Sequence, residues 1–187
     1  MSKEKDNSNL ISLIWKVGNK KKLLEIPVFT VNVSENISPE GKAGDFYTVD
    51  APDWAAVIPV VGEDFLMVQQ WRHAYQGLSI EFPGGVIDSG ESPEEGAARE
   101  LLEETGCKAG TLVKLGTISP NPALFANRFH VFLAKDLTAA GEQRLDDTEF
   151  LNCLRIPQKE VFAKMGSEEY PHALMLAALE LYRQKAL

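Results

Sequence analysis

Apolar residues along this chain fall mostly into short blocks and alternations with a period of about 2, the signature of strands, and only in a few places into a helical period. Residues 10–17 and 23–33 are strand-like and are separated by the turn-prone Gly18-Asn19-Lys20, which predicts a hairpin. Residues 36–44, with Pro39, Gly41 and Gly44, predict a loop, and Phe46-Tyr47-Thr48-Val49 a further short strand. Residues 1–50 are thus expected to form a small antiparallel β unit, which cannot cover its own apolar face and must pack on the main core or on another subunit.

From Trp54 onward, the apolar runs 55–61 and 65–69 flank Gly62-Glu63-Asp64 as a second hairpin, and residues 78–82 lead into Pro83-Gly84-Gly85. The period then changes. Ser92-Pro93-Glu94-Glu95 combines an N-cap serine, a proline at the first helical position and a glutamate at the third, which predicts a helix from there to Thr105, with Gly106 as a left-handed C-terminal cap. Residues 112–118, 129–134 and 150–156 predict strands, and 158–165 and 170–185 closing helices. Strands before, between and after the helices imply an α/β (α+β) architecture, a mixed sheet with helices packed on it, for residues 51–187.

Composition narrows the partners. The 187 residues are 44% hydrophobic and 25% charged, which fits a soluble globular chain. A formal charge of −8 leaves no diffuse basic surface for a nucleic acid or an anionic bilayer, so neither is expected as a partner. No apolar stretch is long enough to span a membrane and the first nine residues carry no leader pattern, so the expectation is a cytoplasmic protein. Cys107 and Cys153 give neither a disulfide framework nor a zinc spacing and read as small hydrophobes in a reducing compartment.

The chemistry concentrates in the capped helix. At about 100° per residue, Glu100, Glu103 and Glu104 fall within an arc of roughly 100°. Ala98, Leu101, Leu102 and Thr105 are expected on the opposite, buried side. Like charges at these spacings weaken a helix by about 0.2–0.5 kcal/mol per pair. A hard divalent cation held by carboxylate oxygens would offset that repulsion, and an acidic protein that handles an anionic substrate needs such a bridge.

Gly85, Glu91, Arg99, Glu100, Leu101, Glu103, Glu104 and Gly106 stand in the register of the Nudix hydrolase signature, G-x5-E-x7-R-E-U-x-E-E-x-G-U, where U is a bulky apolar residue. Only Cys107, in the last place, departs from the usual aliphatic residue. The segments Gln69-Gln70-Trp71-Arg72 and Ile80-Glu81-Phe82-Pro83-Gly84-Gly85 resemble the Q-x-R and E-x-P-A/G-G patterns of the ADP-ribose and nucleoside-diphosphate-sugar pyrophosphatase branch. Ser119-Pro120 and residues 130–134 are similar to the segment that follows the box in that branch.

The resemblance implies a Nudix-type α/β/α sandwich with an N-terminal β unit used in a homodimer. It also implies a metal-dependent hydrolase that cleaves the pyrophosphate of ADP-ribose or another nucleoside diphosphate sugar, such as GDP-mannose, to a nucleoside monophosphate and a sugar phosphate. Carried over by position, Glu100 and Glu104 are the leading ligands of Mg²⁺ or Mn²⁺, with Glu103 and the Gly84 carbonyl beside them, and Glu103 and Glu104 count as catalytic. Arg99 orients a glutamate and Glu91 supports the loop. A general base commonly comes from a later acidic loop in this branch, here Asp146-Asp147-Thr148-Glu149, with Glu149 the choice. Arg72 is the candidate partner of diphosphate oxygens, because a guanidinium offers two parallel donors. Trp71, Tyr75 and Phe82 are candidates for stacking on a nucleobase, Trp71 first, and Glu81 is grouped with them as substrate-binding. His130 reads as a structural histidine, and nothing is assigned to His73 or His172. Two other readings share the box: a nucleoside triphosphate pyrophosphohydrolase, and a non-catalytic sensor that binds ADP-ribose.

Overall fold

The computed structural model describes residues 12–186. Two compact units make up the described chain, one of residues 12–51 with Asn121–Ala126, the other of Pro52–Pro120 with residues 127–186.

The first unit is a three-stranded antiparallel sheet of β1 (Lys20–Ile26), β2 (Phe29–Ile37) and β3 (Ala43–Asp50). Its hairpin differs from the one read in the sequence. The β1–β2 turn is Pro27-Val28, flanked by the pair Ile26 and Phe29, where proline supplies the φ that a turn's second position needs. Gly18 is not a turn residue; a Cβ there would collide with the Glu35 carbonyl oxygen, so the glycine lets the incoming chain lie against β2, where Lys16 and Ile37 exchange backbone hydrogen bonds of 2.9 Å. Residues 12–15 form no strand, and residues 10 and 11 of the expected first strand lie outside the described residues. The segment Asn121–Ala126 closes this unit, with the Val49 N–H donating to the Leu124 carbonyl at 2.8 Å and the Ala126 N–H to the Val49 carbonyl at 3.0 Å.

The second unit is built on a seven-stranded mixed sheet. Its members are β4 (Trp54–Val61), β5 (Asp64–Arg72), β6 (Gly77–Glu81), β7 (Gly84–Val86), β9 (Thr111–Ile118), β10 (Phe129–Lys135) and β12 (Leu151–Pro157), while β8 (Cys107–Lys108) and β11 (Thr138–Ala139) form a separate short ladder. The order is β12-β5-β4-β10-β9; β4 and β10 are parallel and the other pairs antiparallel. The buried central strands β4 and β10 send side chains to two cores. Ala56 and Ile58 join Phe65, Leu133 and Leu179 on one face, where α2 (Gln158–Lys164) and α3 (Ala173–Ala186) pack. Ala55 and Val57 join Ala97, Leu101 and Phe132 on the other, under α1 (Pro93–Thr105). The result is the α/β/α sandwich with a mixed sheet.

One irregularity of this sheet makes room for a site. β4 and β5 pair only at their hairpin end, Val60 with Phe65 and Val61 with Asp64. Beyond it they part, and β6 takes the vacated edge of β5 while β7 takes that of β4. The Val57 N–H holds the crossing between them by donating to the Pro83 carbonyl at 2.8 Å. α3 begins three residues later than the sequence suggests, because Tyr170 precedes Pro171, which disfavours helical backbone at that residue.

Candidate active site

α1 starts on the predicted cap. Ser92 Oγ accepts the Glu95 N–H at 3.2 Å and a Glu95 carboxylate oxygen accepts the Ser92 N–H at 2.8 Å, completing the capping box. It ends on Gly106 at φ 67°, left-handed as its C-terminal position requires. The buried stripe differs from the expected one. It runs through Ala97, Leu101 and Glu104, at i, i+4 and i+7, while Ala98 is exposed. Glu104 is thus a carboxylate on the packed seam of the helix, 4% exposed. Burying it is tolerable because the Gly84 N–H donates to its Oε2 at 2.7 Å.

The two glycines of the crossing are needed for contact with this helix. Gly84 adopts φ 156° and a Cβ there would collide with the Ala55 carbonyl oxygen. At Gly85 a Cβ would stand 2.6 Å from Glu100 Oε1, so glycine lets that carboxylate lie against the backbone. Arg99 binds the rest of the acidic face. Its Nε and Nη2 donate to both Glu91 oxygens at 2.9 and 3.1 Å, Nη1 to Glu100 and Glu103 at 2.9 and 3.0 Å, and Nη2 also to the Val86 carbonyl at 2.9 Å.

One guanidinium does not neutralise the group. Burial pushes the Glu104 carboxyl up to about 8, against the Gly84 N–H and with added repulsion from Glu100 and Glu149. Burial pushes Glu100 up to about 7, against Arg99 and with repulsion from Glu103 and Glu149. Such a set of hard oxygen donors, short of positive charge, fits a divalent cation. Among the described residues, no three His, Cys, Asp or Glu side chains stand together as a ready cage. Mg²⁺ commonly takes one or two carboxylates and completes its shell with water and substrate phosphates.

These carboxylates line a cavity of about 750 Å³ where β4 and β5 part. Asp146 and Glu149 line it too, on a loop tied to the end of α1: the Arg144 N–H donates to the Glu103 carbonyl at 2.8 Å, and Gln143 Nε2 to the Glu104 carbonyl. The Asp146 N–H donates to Glu149 Oε2 at 3.3 Å, curling the loop on itself. The negative charge of Glu149 acts on Glu100, Glu104 and Arg72.

On the β5–β6 wall, Arg72 Nε and Nη2 grip both oxygens of Glu81 at 2.8 and 2.5 Å. Glu81 is 1% exposed, and despite that burial Arg72 holds its carboxyl below the usual range. Glu81 lines the cavity and holds Arg72 in place there by both of its oxygens. Two aromatic expectations also change. Trp71 alternates with Gln70 and Arg72 along β5, so its ring, 50% exposed, is not among the cavity walls. The ring of Phe82 is 2% exposed and packs edge-on against Phe65 at 5.4 Å, which commits it to the core. Phe82 and Tyr75 are nonetheless both among the residues that line the cavity.

His130 is held between Thr117 Oγ1 at 2.9 Å and Asp53 Oδ2 at 3.1 Å, a structural pairing. Cys107 and Cys153 are free and partly buried. His172, to which the sequence assigns nothing, lines the cavity. It sits far along the chain from the box, and that segment is brought to the β5–β6 wall by hydrogen bonds from the Ile80 N–H to the Glu169 carbonyl at 2.8 Å and from the Phe82 N–H to Met175 Sδ at 3.2 Å.

Residues 51–177 match the NUDIX domain family. Over 176 residues the chain is 32% identical to the ADP-ribose pyrophosphatase of Bacillus subtilis (strain 168), covering 93% of this chain and 95% of that protein. Over 166 residues it is 29% identical to the methanol dehydrogenase activator of Bacillus methanolicus, covering 86% of this chain and 88% of that one. The crystal structure of an ADP compounds hydrolase has the same fold, with a TM-score of 0.83 over 94% of this chain and 96% of that chain at 24% identity.

Proposed function

The chain belongs to the NUDIX domain family, and from that membership we propose that it hydrolyses the pyrophosphate bond of ADP-ribose and related nucleoside diphosphate sugars, GDP-mannose among them. The products are a nucleoside monophosphate and a sugar phosphate. The observation that carries this reading is one cavity whose walls hold the α1 carboxylates, the Arg72 guanidinium and the Asp146–Glu149 turn. Its volume, about 750 Å³, lies within the range of small-molecule sites.

Glu100, Glu103 and Glu104, with the Gly84 carbonyl, would hold a divalent cation, Mg²⁺ or Mn²⁺. When bound, such an ion neutralises diphosphate charge and acidifies the attacking water. Arg72, with Nε and one face of Nη2 committed to Glu81, keeps Nη1 for diphosphate oxygens. Arg99 holds Glu100 and Glu103 in orientation, so that their oxygens need not be ordered during the reaction. Glu149 takes the proton of the attacking water, and its loop, tied to α1, fixes it relative to the metal-binding carboxylates.

The same proposal makes the protein a cytoplasmic homodimer, with the first unit as the pairing element. Leu24, Val28 and Tyr47 of that unit are more than half exposed, an apolar surface that a second copy would cover. No described helix is long and apolar enough to cross a membrane.

Product analysis with Mg²⁺ and a panel of ADP-ribose, GDP-mannose, UDP-glucose, NADH and the nucleoside triphosphates tests the reading, with Glu104→Gln as control. Nucleoside monophosphate and sugar phosphate from the diphosphate sugars, lost in the variant, are the expected result. Pyrophosphate released from triphosphates alone refutes the branch, and tight binding without turnover refutes the enzyme.

A further inference from the structure

The segment leading into α3 is one wall of the cavity, and it is fixed on both sides of His172. Before it, Glu169 accepts the Ile80 N–H and Tyr170 is buried. After it, Met175 Sδ accepts the Phe82 N–H at 3.2 Å. His172 itself caps the helix: its carbonyl accepts the Met175 N–H at 3.0 Å, and its ring Nδ1 accepts the Leu174 N–H at 3.2 Å. A ring nitrogen that accepts carries no proton, so the neutral imidazole bears its hydrogen on Nε2. Burial favours the neutral ring, with Glu81 acting against it and Arg72 with it. Nε2, on the far side of the ring from the cap, has no hydrogen-bond partner among the described residues, and the ring lines the cavity.

We infer that the His172 Nε2–H is a specificity-determining donor, hydrogen-bonded to a hydroxyl oxygen of a sugar that adjoins the substrate's diphosphate. The inference rests on the nucleoside-diphosphate-sugar reading above. His172 feels the charges of Arg72 and Glu81 and shares the cavity with them. With the diphosphate on Arg72, the next group along the substrate in either direction is a sugar. Both Glu81 oxygens accept from Arg72, and among the described residues no hydrogen bond joins Glu81 to His172, which leaves the imidazole N–H for a ligand. A neutral N–H suits an uncharged hydroxyl, while the guanidinium takes the phosphate. The sugar is either the nucleoside ribose or the distal one.

Two substitutions separate the donor from the cap. His172→Asn places an amide oxygen near the position of Nδ1 and preserves the cap acceptor, but loses the far donor; His172→Gln places an amide N–H near Nε2. Binding of α,β-methylene ADP-ribose is measured by calorimetry, and turnover of ADP-ribose by product release. The Asn variant is expected to weaken binding and raise KM by about tenfold with a smaller change in kcat, the size of one hydrogen bond, and the Gln variant to recover most of that loss. The difference between wild type and Asn should vanish on the analogue lacking the contacted hydroxyl. Adenosine 2′- and 3′-deoxy analogues form one arm, and ADP-sugars differing in the distal sugar the other. Wild-type binding by both variants overturns the inference. So does an equal loss in both on every analogue accompanied by a fall in Tm, which is the mark of a cap alone. If wild-type protein neither binds nor cleaves any diphosphate sugar, the underlying function fails first and the inference falls with it.

Discussion

Replacing Glu104 by Gln should stabilise the metal-free protein in alkaline solution while destroying its activity. Glu104 titrates at about 8 in the fold against 4.5 for a free side chain. A carboxyl with a raised pKa binds its proton more tightly in the folded than in the unfolded state. Its contribution to stability is therefore fully present below pH 4.5 and is lost as pH rises through about 8. At about 1.4 kcal/mol per pH unit, ionised Glu104 costs the fold about 4–5 kcal/mol at pH 9, of which roughly 1.4 kcal/mol is already incurred at pH 5.5. The change across that window is about 3 kcal/mol, which for a chain of this size corresponds to roughly 6–12 °C in Tm. Glu100, raised to about 7, loses stability in both proteins, and the difference between wild type and variant reports Glu104 together with its repulsion from Glu100. The glutamine oxygen can still accept the Gly84 N–H, which keeps the crossing in place.

The assay is thermal unfolding of EDTA-treated wild type and Glu104→Gln by circular dichroism from pH 5.5 to 9. The wild-type Tm should fall relative to the variant as pH rises. Adding Mg²⁺ at pH 9 should raise the wild-type Tm more than that of the variant, which keeps Glu100 and Glu103 but lacks one carboxylate, since binding only to the native state stabilises it. A Tm difference that stays constant from pH 5.5 to 9 would refute the claim that the buried carboxylate is the source of strain.

Gly84→Ala should cost at least about 2 kcal/mol in urea unfolding and lower kcat, because the collision with the Ala55 carbonyl oxygen involves backbone and displaces the Glu104 donor. Arg72→Ala should destabilise by about 3 kcal/mol, since it leaves buried Glu81 without its cation. The double variant with Glu81→Ala should lose clearly less than the sum of the two singles, and additive losses in a denaturation cycle would refute the pairing. Glu149→Gln should lower kcat by about 10²-fold or more with little change in KM if it is the base. Removal of residues 1–49 should expose apolar surface and abolish the dimer in light scattering, whereas a soluble, monomeric and fully active truncation would refute the pairing role.

The legible parts of this chain are those where a local rule and the packed fold agree. The Ser92 box, Gly106 and the strand blocks at 55–61 and 129–134 have fixed local periods and caps, and the structure uses them as they stand. The acidic helix is legible in its spacing but not in its rotation. Periodicity places Ala98 inside and Glu104 outside, whereas the fold turns Glu104 inward because Gly84, 20 residues upstream, offers it an N–H. Apolar periodicity ranks residues by hydrophobicity and cannot register a distant backbone donor that makes a charge tolerable. The same limit explains Trp71: alternation predicts that it and Arg72 face opposite ways, but only the parting of β4 from β5 decides which face of β5 holds the cavity. His172 is the furthest case. Its neighbours in sequence are apolar, its helix cap resembles none of the usual serine or aspartate signals, and its relation to Glu81 depends on distant backbone bonds that tie residues 169 and 175 to the end of β6. A residue whose chemistry is set by tertiary juxtaposition leaves no local trace, which is why the box is readable from its own register while the cavity wall that carries His172 is not.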